Sequence, residues 1–180
     1  MRTKFLLPIL LLSLISFSSW GADFQKGFDA YVSGDYGTAL REFSPLAEQG
    51  NAAAQNNLGV MYREGSGVPQ DYKTAAKWIT LAAEQGYVLA RNSLGVMYEK
   101  GLGVPKDYKT AVKWYTFAAE KGVADAQFNL GLMYYKGRGV PKDGKTEVKW
   151  YTLAAEQGYA KAQFNLGLMY ANGRGVPKDD

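Results

Sequence analysis

At residues 137–143 the chain reads GRGVPKD, two glycines around an arginine with a lysine close behind. Loops of this composition can cradle a phosphate, because backbone N–H groups and a lysine converge on the anion where no β-carbon stands in the way. Such a loop normally occurs once, after a hydrophobic strand and at the opening of a helix. Here it returns as GSGVPQD at 65–71, GLGVPKD at 101–107 and GRGVPKD at 173–179, and no β-branched run precedes any copy. The Gly-Val-Pro triplet stands at Gly67, Gly103, Gly139 and Gly175, at a fixed interval of 36 residues. A period of that length marks a repeat array, so the loop is punctuation between helices.

Other chemistry is sparse. The chain has no cysteine and no histidine, which removes disulfides, thiol or imidazole metal sites, and every Ser-His or Cys-His arrangement. No metal or other cofactor is expected. One carboxylate stands apart. Rows aligned at 36 residues begin at Asp35, Asp71, Asp107 and Asp143; rows two and three carry Tyr72 with Ala75 and Tyr108 with Ala111, where row four has Gly144 and Glu147. The alanine position belongs against a neighbouring helix, so Glu147 is expected to be partly buried, with a partner or a raised pKa. Acid–base work usually needs a second carboxylate set for the opposite role. A locally frayed start to the row-four helix is the simpler reading.

The elements that position these residues follow from row three. Asp107 suits a helix N-cap, and Ala111, Trp114, Tyr115 and Ala118 follow at helical spacing. Gly122 ends that helix, as Gly50, Gly86 and Gly158 do in other rows. A second helix is expected from about Ala124 to Lys136, with Ala126, Leu130, Met133 and Tyr134 on one stripe, before Gly137 and Pro141 turn the chain. No strand pattern competes. The unit is a helical hairpin, and the fold class is all-α, an α/α solenoid with a 36-residue period.

The first residues have a different character. MRTK carries two positive charges, FLLPILLLSLISF is an apolar run of 13 residues, and SSWGA supplies small residues. This is the layout of a secretory signal peptide over 1–21, cut before Ala22, and the run is short for a membrane span. Removing Arg2 and Lys4 leaves 19 basic residues (21 less these two) against 17 acidic, a net charge of +2. So mild a balance argues against a nucleic-acid partner. The expected organisation is a signal peptide at 1–21, a capping helix at 22–34 and four repeats at 35–70, 71–106, 107–142 and 143–178, within 35–180.

The stretch AQFNLGLMYYKGRGVPKD at 126–143, with the series Tyr-x-x-Ala-x-x-Trp-Tyr-x-x-Ala-Ala-x-x-Gly at 108–122, resembles the Sel-one-like repeat, a relative of the tetratricopeptide repeat. The likeness extends over 35–178. It implies a right-handed superhelix, with the Leu-Gly-x-x-Tyr helices on the concave side and the Trp-bearing helices outside, and it implies a protein-binding scaffold. The concave positions left over from packing are Asn56, Asn92, Phe128 and Phe164; Val60, Val96, Leu132 and Leu168; Arg63, Glu99 and Tyr135; with Glu64, Lys100, Lys136 and Asn172 at the helix ends. Phe128, Leu132, Tyr135, Phe164 and Leu168 make an aromatic and apolar strip that fits a partner, or else packs between repeats. Lys100, Lys136, Arg138 and Arg174, with Lys106, Lys142 and Lys178, gather along the loop edge. That edge could meet an acidic partner or anionic headgroups, but a solvated edge is the simpler reading.

The resemblance further implies a non-catalytic periplasmic protein. Members of this size with a signal peptide and no cysteine include immunity proteins against phospholipase toxins of type VI secretion, so a lipase-type effector is one expected partner. A periplasmic regulator or assembly adaptor is the alternative. A β-lactamase-like hydrolase is remote, because paired cysteines and a Ser-x-x-Lys motif are both absent. At the C-terminal end, no Trp-bearing helix follows GRGVPKDD. The face around Leu166, Met169 and Tyr170 is expected to lie open, either because the chain is a piece or because a partner or second copy completes the stack.

Overall fold

A computed structural model describes residues 21–175. The expected leader falls outside the described residues except for Gly21, as do residues 176–180. The described residues form nine α-helices and no strand: α1 (Phe24–Ser33), α2 (Tyr36–Glu48), α3 (Ala52–Glu64), α4 (Tyr72–Glu84), α5 (Val88–Lys100), α6 (Tyr108–Ala119), α7 (Ala124–Lys136), α8 (Gly144–Glu156) and α9 (Ala160–Ala171). Each packs chiefly on its neighbours in sequence, as a solenoid requires.

The aspartate that opens each row fixes where its helix starts. Asp107 Oδ1 accepts from the amides of Lys109 (2.9 Å) and Thr110 (3.3 Å), while Thr110 Oγ1 donates to Asp107 Oδ2 at 2.6 Å. Asp71 with Thr74 and Asp143 with Thr146 repeat the arrangement. Two free amides of the first turn are thereby satisfied. The Thr hydroxyl and the backbone N–H groups hold each of these carboxyls below the ordinary aspartate range.

The Gly-x-Gly loops are explained by close packing. Their first glycine closes the helix before it, as when the Gly137 N–H bonds the Met133 carbonyl. Their second glycine has φ between 70° and 76° and lies on the first residue of the preceding Trp-type helix. A β-carbon at Gly103 would collide with the Tyr72 carbonyl, and one at Gly139 with that of Tyr108. The loop is thus committed to its own repeat.

Glycine also sets how repeats meet. A β-carbon at Gly59, Gly95 or Gly131 would lie 2.6 Å from the side chain of Ile79, Tyr115 or Tyr151, on the Trp-type helix that follows. Glutamines lock the same junctions: Gln55 Nε2 donates to the Ala47 carbonyl at 3.0 Å, and Gln85 Nε2 donates to Gln55 Oε1 at 2.7 Å. Gln127 and Gln157 repeat this two rows on. The helix α1 packs through Gly27 on the Phe43 ring, as α3 packs through Gly59 on Ile79.

Two expectations about row four are corrected. The start of α8 is not frayed: Asp143 caps it, and Glu147 lies 2% exposed within a continuous helix, bonded by Arg174. At the last helix, Met169 is fully buried and Leu166 half-buried, packed with Tyr151 and Ala154 of α8. Of the three residues expected to lie open only Tyr170 is exposed, on a face of α9 with Gln163, Phe164 and Gly167. It is the glycine face that receives the following helix in earlier repeats, whereas Leu166 and Met169 point to the helix before.

Candidate functional site: a cleft where α7, α8 and α9 meet

Where Gly95 lets α5 approach α6, four positions meet, those of Tyr115, Glu99, Arg138 and Ala111. Tyr115 on α6 is fully buried against Gly95, and its hydroxyl donates to Glu99 Oε2 of α5 at 2.9 Å. Arg138, from the loop after α7, approaches Glu99 Oε1 at 3.6 Å and lies over the Tyr108 ring. Ala111 faces this junction. Burial and the Glu99 charge push the Tyr115 phenol pKa far up.

One repeat on, the same four positions hold Tyr151, Tyr135, Arg174 and Glu147. The tyrosine and arginine are kept, but the acid has moved. Tyr135 stands where Glu99 stood, and Glu147 stands where Ala111 stood. Arg174 Nη2 therefore donates to Glu147 Oε1, at 2.8 Å, and its guanidinium stacks on the Tyr135 ring, 4.4 Å from the centroid. The Tyr151 hydroxyl, in a side chain only 1% exposed, has no hydrogen-bond partner among the described residues. Asn165 stands beside it short of bonding geometry; burial pushes the phenol pKa up to about 12, with the amide acting in the opposite sense. Burial also raises the Glu147 carboxyl above its ordinary range, against the pull of Arg174.

A cleft of about 280 Å³ opens here, lined by Tyr135, Tyr151, Asn165, Leu168, Asn172 and Arg174. The site can hold a group, but the acid that belongs to it is spent on an arginine. Among the described residues no cluster of His, Cys, Asp and Glu could hold a metal ion.

The expected strip divides. Phe128 stacks on Tyr151 and leans on Tyr159, and with Leu132 it belongs to the core between repeats. Val96 packs on the α6–α7 core. Asn56 is no surface position, since it is buried and its Oδ1 lacks a partner among the described residues. Asn92 Oδ1 accepts a long bond from Asn129, Arg63 pairs with Glu64, and Val60 is half-buried. Glu99 is engaged as described. Tyr135, Phe164 and Leu168 remain exposed, Phe164 on the glycine face of α9 and the other two at the cleft. Of the basic edge, Lys100 and Lys136 are exposed, while Arg138 and Arg174 reach inward to carboxylates. The sequence reading missed Tyr151 and Asn165 as lining residues, while Asn172, expected on the leftover concave face, does line the cleft. Its available signal was the paired change from Glu99 and Ala111 to Tyr135 and Glu147.

These repeats match the Sel1 repeat model at 52–87, 88–123, 124–159 and 160–180. The chain belongs to the Sel1 repeat family. Each matched Sel1 unit begins at a Leu-Gly helix and ends after the Trp-type helix that follows, one helix later than rows counted from Asp35. Solved structures similar to the chain include a Sel1 repeat protein from Oxalobacter formigenes, with TM-score 0.79 and 39% identity over 87% of this chain and 65% of that one. A protective antigen of uropathogenic Escherichia coli displaying an SLR fold has TM-score 0.81 and 40% identity, over 87% of this chain and 34% of that one. The cysteine-rich protein B of Helicobacter pylori has TM-score 0.58 and 25% identity, over 73% of this chain and 95% of that one. The chain thus spans less than two thirds of the first two. No curated protein matches it. Sel1 repeats generally serve as non-catalytic scaffolds for protein–protein interaction.

Proposed function

We propose that this protein is a non-catalytic scaffold that binds another protein on the face formed by α7, α8 and α9. The observation that carries the reading is the cleft, where half-exposed Tyr135 and Leu168 flank the polar side chains of Asn165, Asn172 and Arg174. Exposed aromatic and apolar side chains around a concavity are the usual anchors of a binding surface. The test is retention of a partner from cell-envelope extract by the full chain, beside the variant Tyr135→Ala with Leu168→Ala. Both side chains are half-exposed, so the variant should stay folded and lose retention at least tenfold. Undiminished retention would place the contact elsewhere.

The narrower reading is an immunity protein of the periplasm that occludes a phospholipase toxin. It rests on the sequence resemblance, on the leader-like first residues and on the fact that occlusion asks no chemistry of the blocker. The relatives' names mention no toxin. Among the described residues no helix is long and apolar enough to cross a membrane. A lipase gene beside this one, with inhibition of that lipase by the purified chain, would support the reading. A neighbouring export operon and no inhibition would favour the regulator or adaptor. Fractionation tests the location: full-length chain in a salt-washed membrane pellet would count against periplasmic release.

A further inference from the structure

The two junctions described above share a tyrosine and an arginine at equivalent positions. They differ in where the carboxylate comes from and in which ring the arginine lies over. At α5–α6 the acid is Glu99, which accepts from the Tyr115 hydroxyl and meets Arg138. At α7–α8 the tyrosine and the arginine remain, but the residue at that position is Tyr135, whose ring supports Arg174 from the side. Tyr151 lines a cleft there, and its hydroxyl lies buried at the cleft wall with no carboxylate or other partner among the described residues. A buried hydroxyl without a partner is costly to keep, and the cost is recovered when an acceptor arrives.

We infer that this cleft receives a carboxylate presented by a partner polypeptide, held by the Tyr151 hydroxyl and by the N–H groups of Arg174 that Glu147 does not use. The inference deepens the scaffold reading by naming the chemistry of one subsite. Glu147 is not part of the cleft wall; it lies behind the guanidinium and fixes its position. Leu168 and the Tyr135 ring offer an apolar wall for the stem of an acidic side chain, and about 280 Å³ accommodates one such side chain. The α3–α4 junction offers nothing comparable, since Ile79 and Leu102 occupy the positions of the tyrosine and the arginine, with Arg63 where Glu99 stands and Ala75 where Glu147 stands. Because Glu147 already neutralises much of the arginine charge, isolated peptides should bind only in the millimolar range.

The test follows the Asn165 and Asn172 side-chain amides of the full chain by NMR during titration with three acetylated pentapeptides of glycine and alanine. One has an internal glutamate and an amidated end, one a free C-terminal carboxylate, and one an internal glutamine and an amidated end. Saturable shifts with the first or the second, and none with the third, are expected; which of the two binds says whether a side chain or a chain end is the source. Tyr151→Phe keeps the ring against Gly131 and should weaken binding at least tenfold. Tyr135→Glu with Glu147→Ala rebuilds the α5–α6 arrangement and should abolish it by filling the cleft from within. Equal shifts with the neutral peptide, no shift with either acid, or binding unmoved by Tyr151→Phe would overturn the inference. Those results leave partner retention by the full chain untouched, so the subsite and the scaffold reading fail separately.

Discussion

Glu147 is the residue that breaks its row, and its neighbourhood shows why the break is tolerated. Its carboxylate is buried but shares a short bond with Arg174, whose side chain is 45% exposed and can return to water. Removing one partner of a buried ion pair destabilises when it strands the other charge in the interior. Here the partner left behind can be solvated, and the burial cost of the carboxylate is removed. Glu147→Ala, which restores the residue of rows two and three, should therefore stabilise the protein at neutral pH by roughly 1 kcal/mol. Burial raises the Glu147 pKa in the folded state above the ordinary value of 4.5. Its protonated form favours folding below that value, and the benefit is lost as pH rises through the folded pKa. The gain of the variant should accordingly grow from pH 4 towards neutrality in urea melts; a loss of stability at pH 7 would show that the pair is worth more than its burial costs. The anomaly was visible in the sequence because an alanine had become an acid. Its partner was not, because Arg174 lies 27 residues away in a loop whose charge reads as surface.

At the scale of elements, the same glycine has opposite value in different repeats. Gly131→Ala puts a β-carbon 2.6 Å from the Tyr151 ring and should cost about 1–3 kcal/mol through overpacking. Gly167→Ala meets nothing within 4 Å, so helix propensity decides, and it should stabilise α9 by roughly 0.5–1 kcal/mol. Paired thermal melts of the two variants check this; equal losses would mean that the α9 face is covered in solution. The row-opening aspartates work at the same scale. Their pKa values are depressed by the Thr hydroxyl and the first-turn amides, so their stabilisation is present above the unfolded pKa near 3.8 and is lost as pH falls through the folded pKa. Asp107→Ala should lower the melting midpoint at pH 7 and narrow its gap to the wild type below pH 3. Helix ends such as Ala124–Lys136 were legible because Asp, Gly and Pro each impose a backbone geometry. The fate of Phe128 was not, since one helix cannot show whether an aromatic meets solvent or the Tyr151 of the next.

For the whole molecule, a fixed period made the solenoid plain before any contact was known. Function is harder to read, because identical repeats carry the packing and only their departures carry recognition. Here the departures gather in one place: Tyr135 for an acid, Glu147 for an alanine, and a cleft lined by Tyr135 and by the arginine that Glu147 holds. The central claim is that partners are held there. Hydrogen exchange of the full chain with and without a captured partner tests it most directly. The account predicts new protection over 165–174 and around Tyr135 and Tyr151. Protection confined to α1–α4, or to the Trp-type helices away from the cleft, would contradict it.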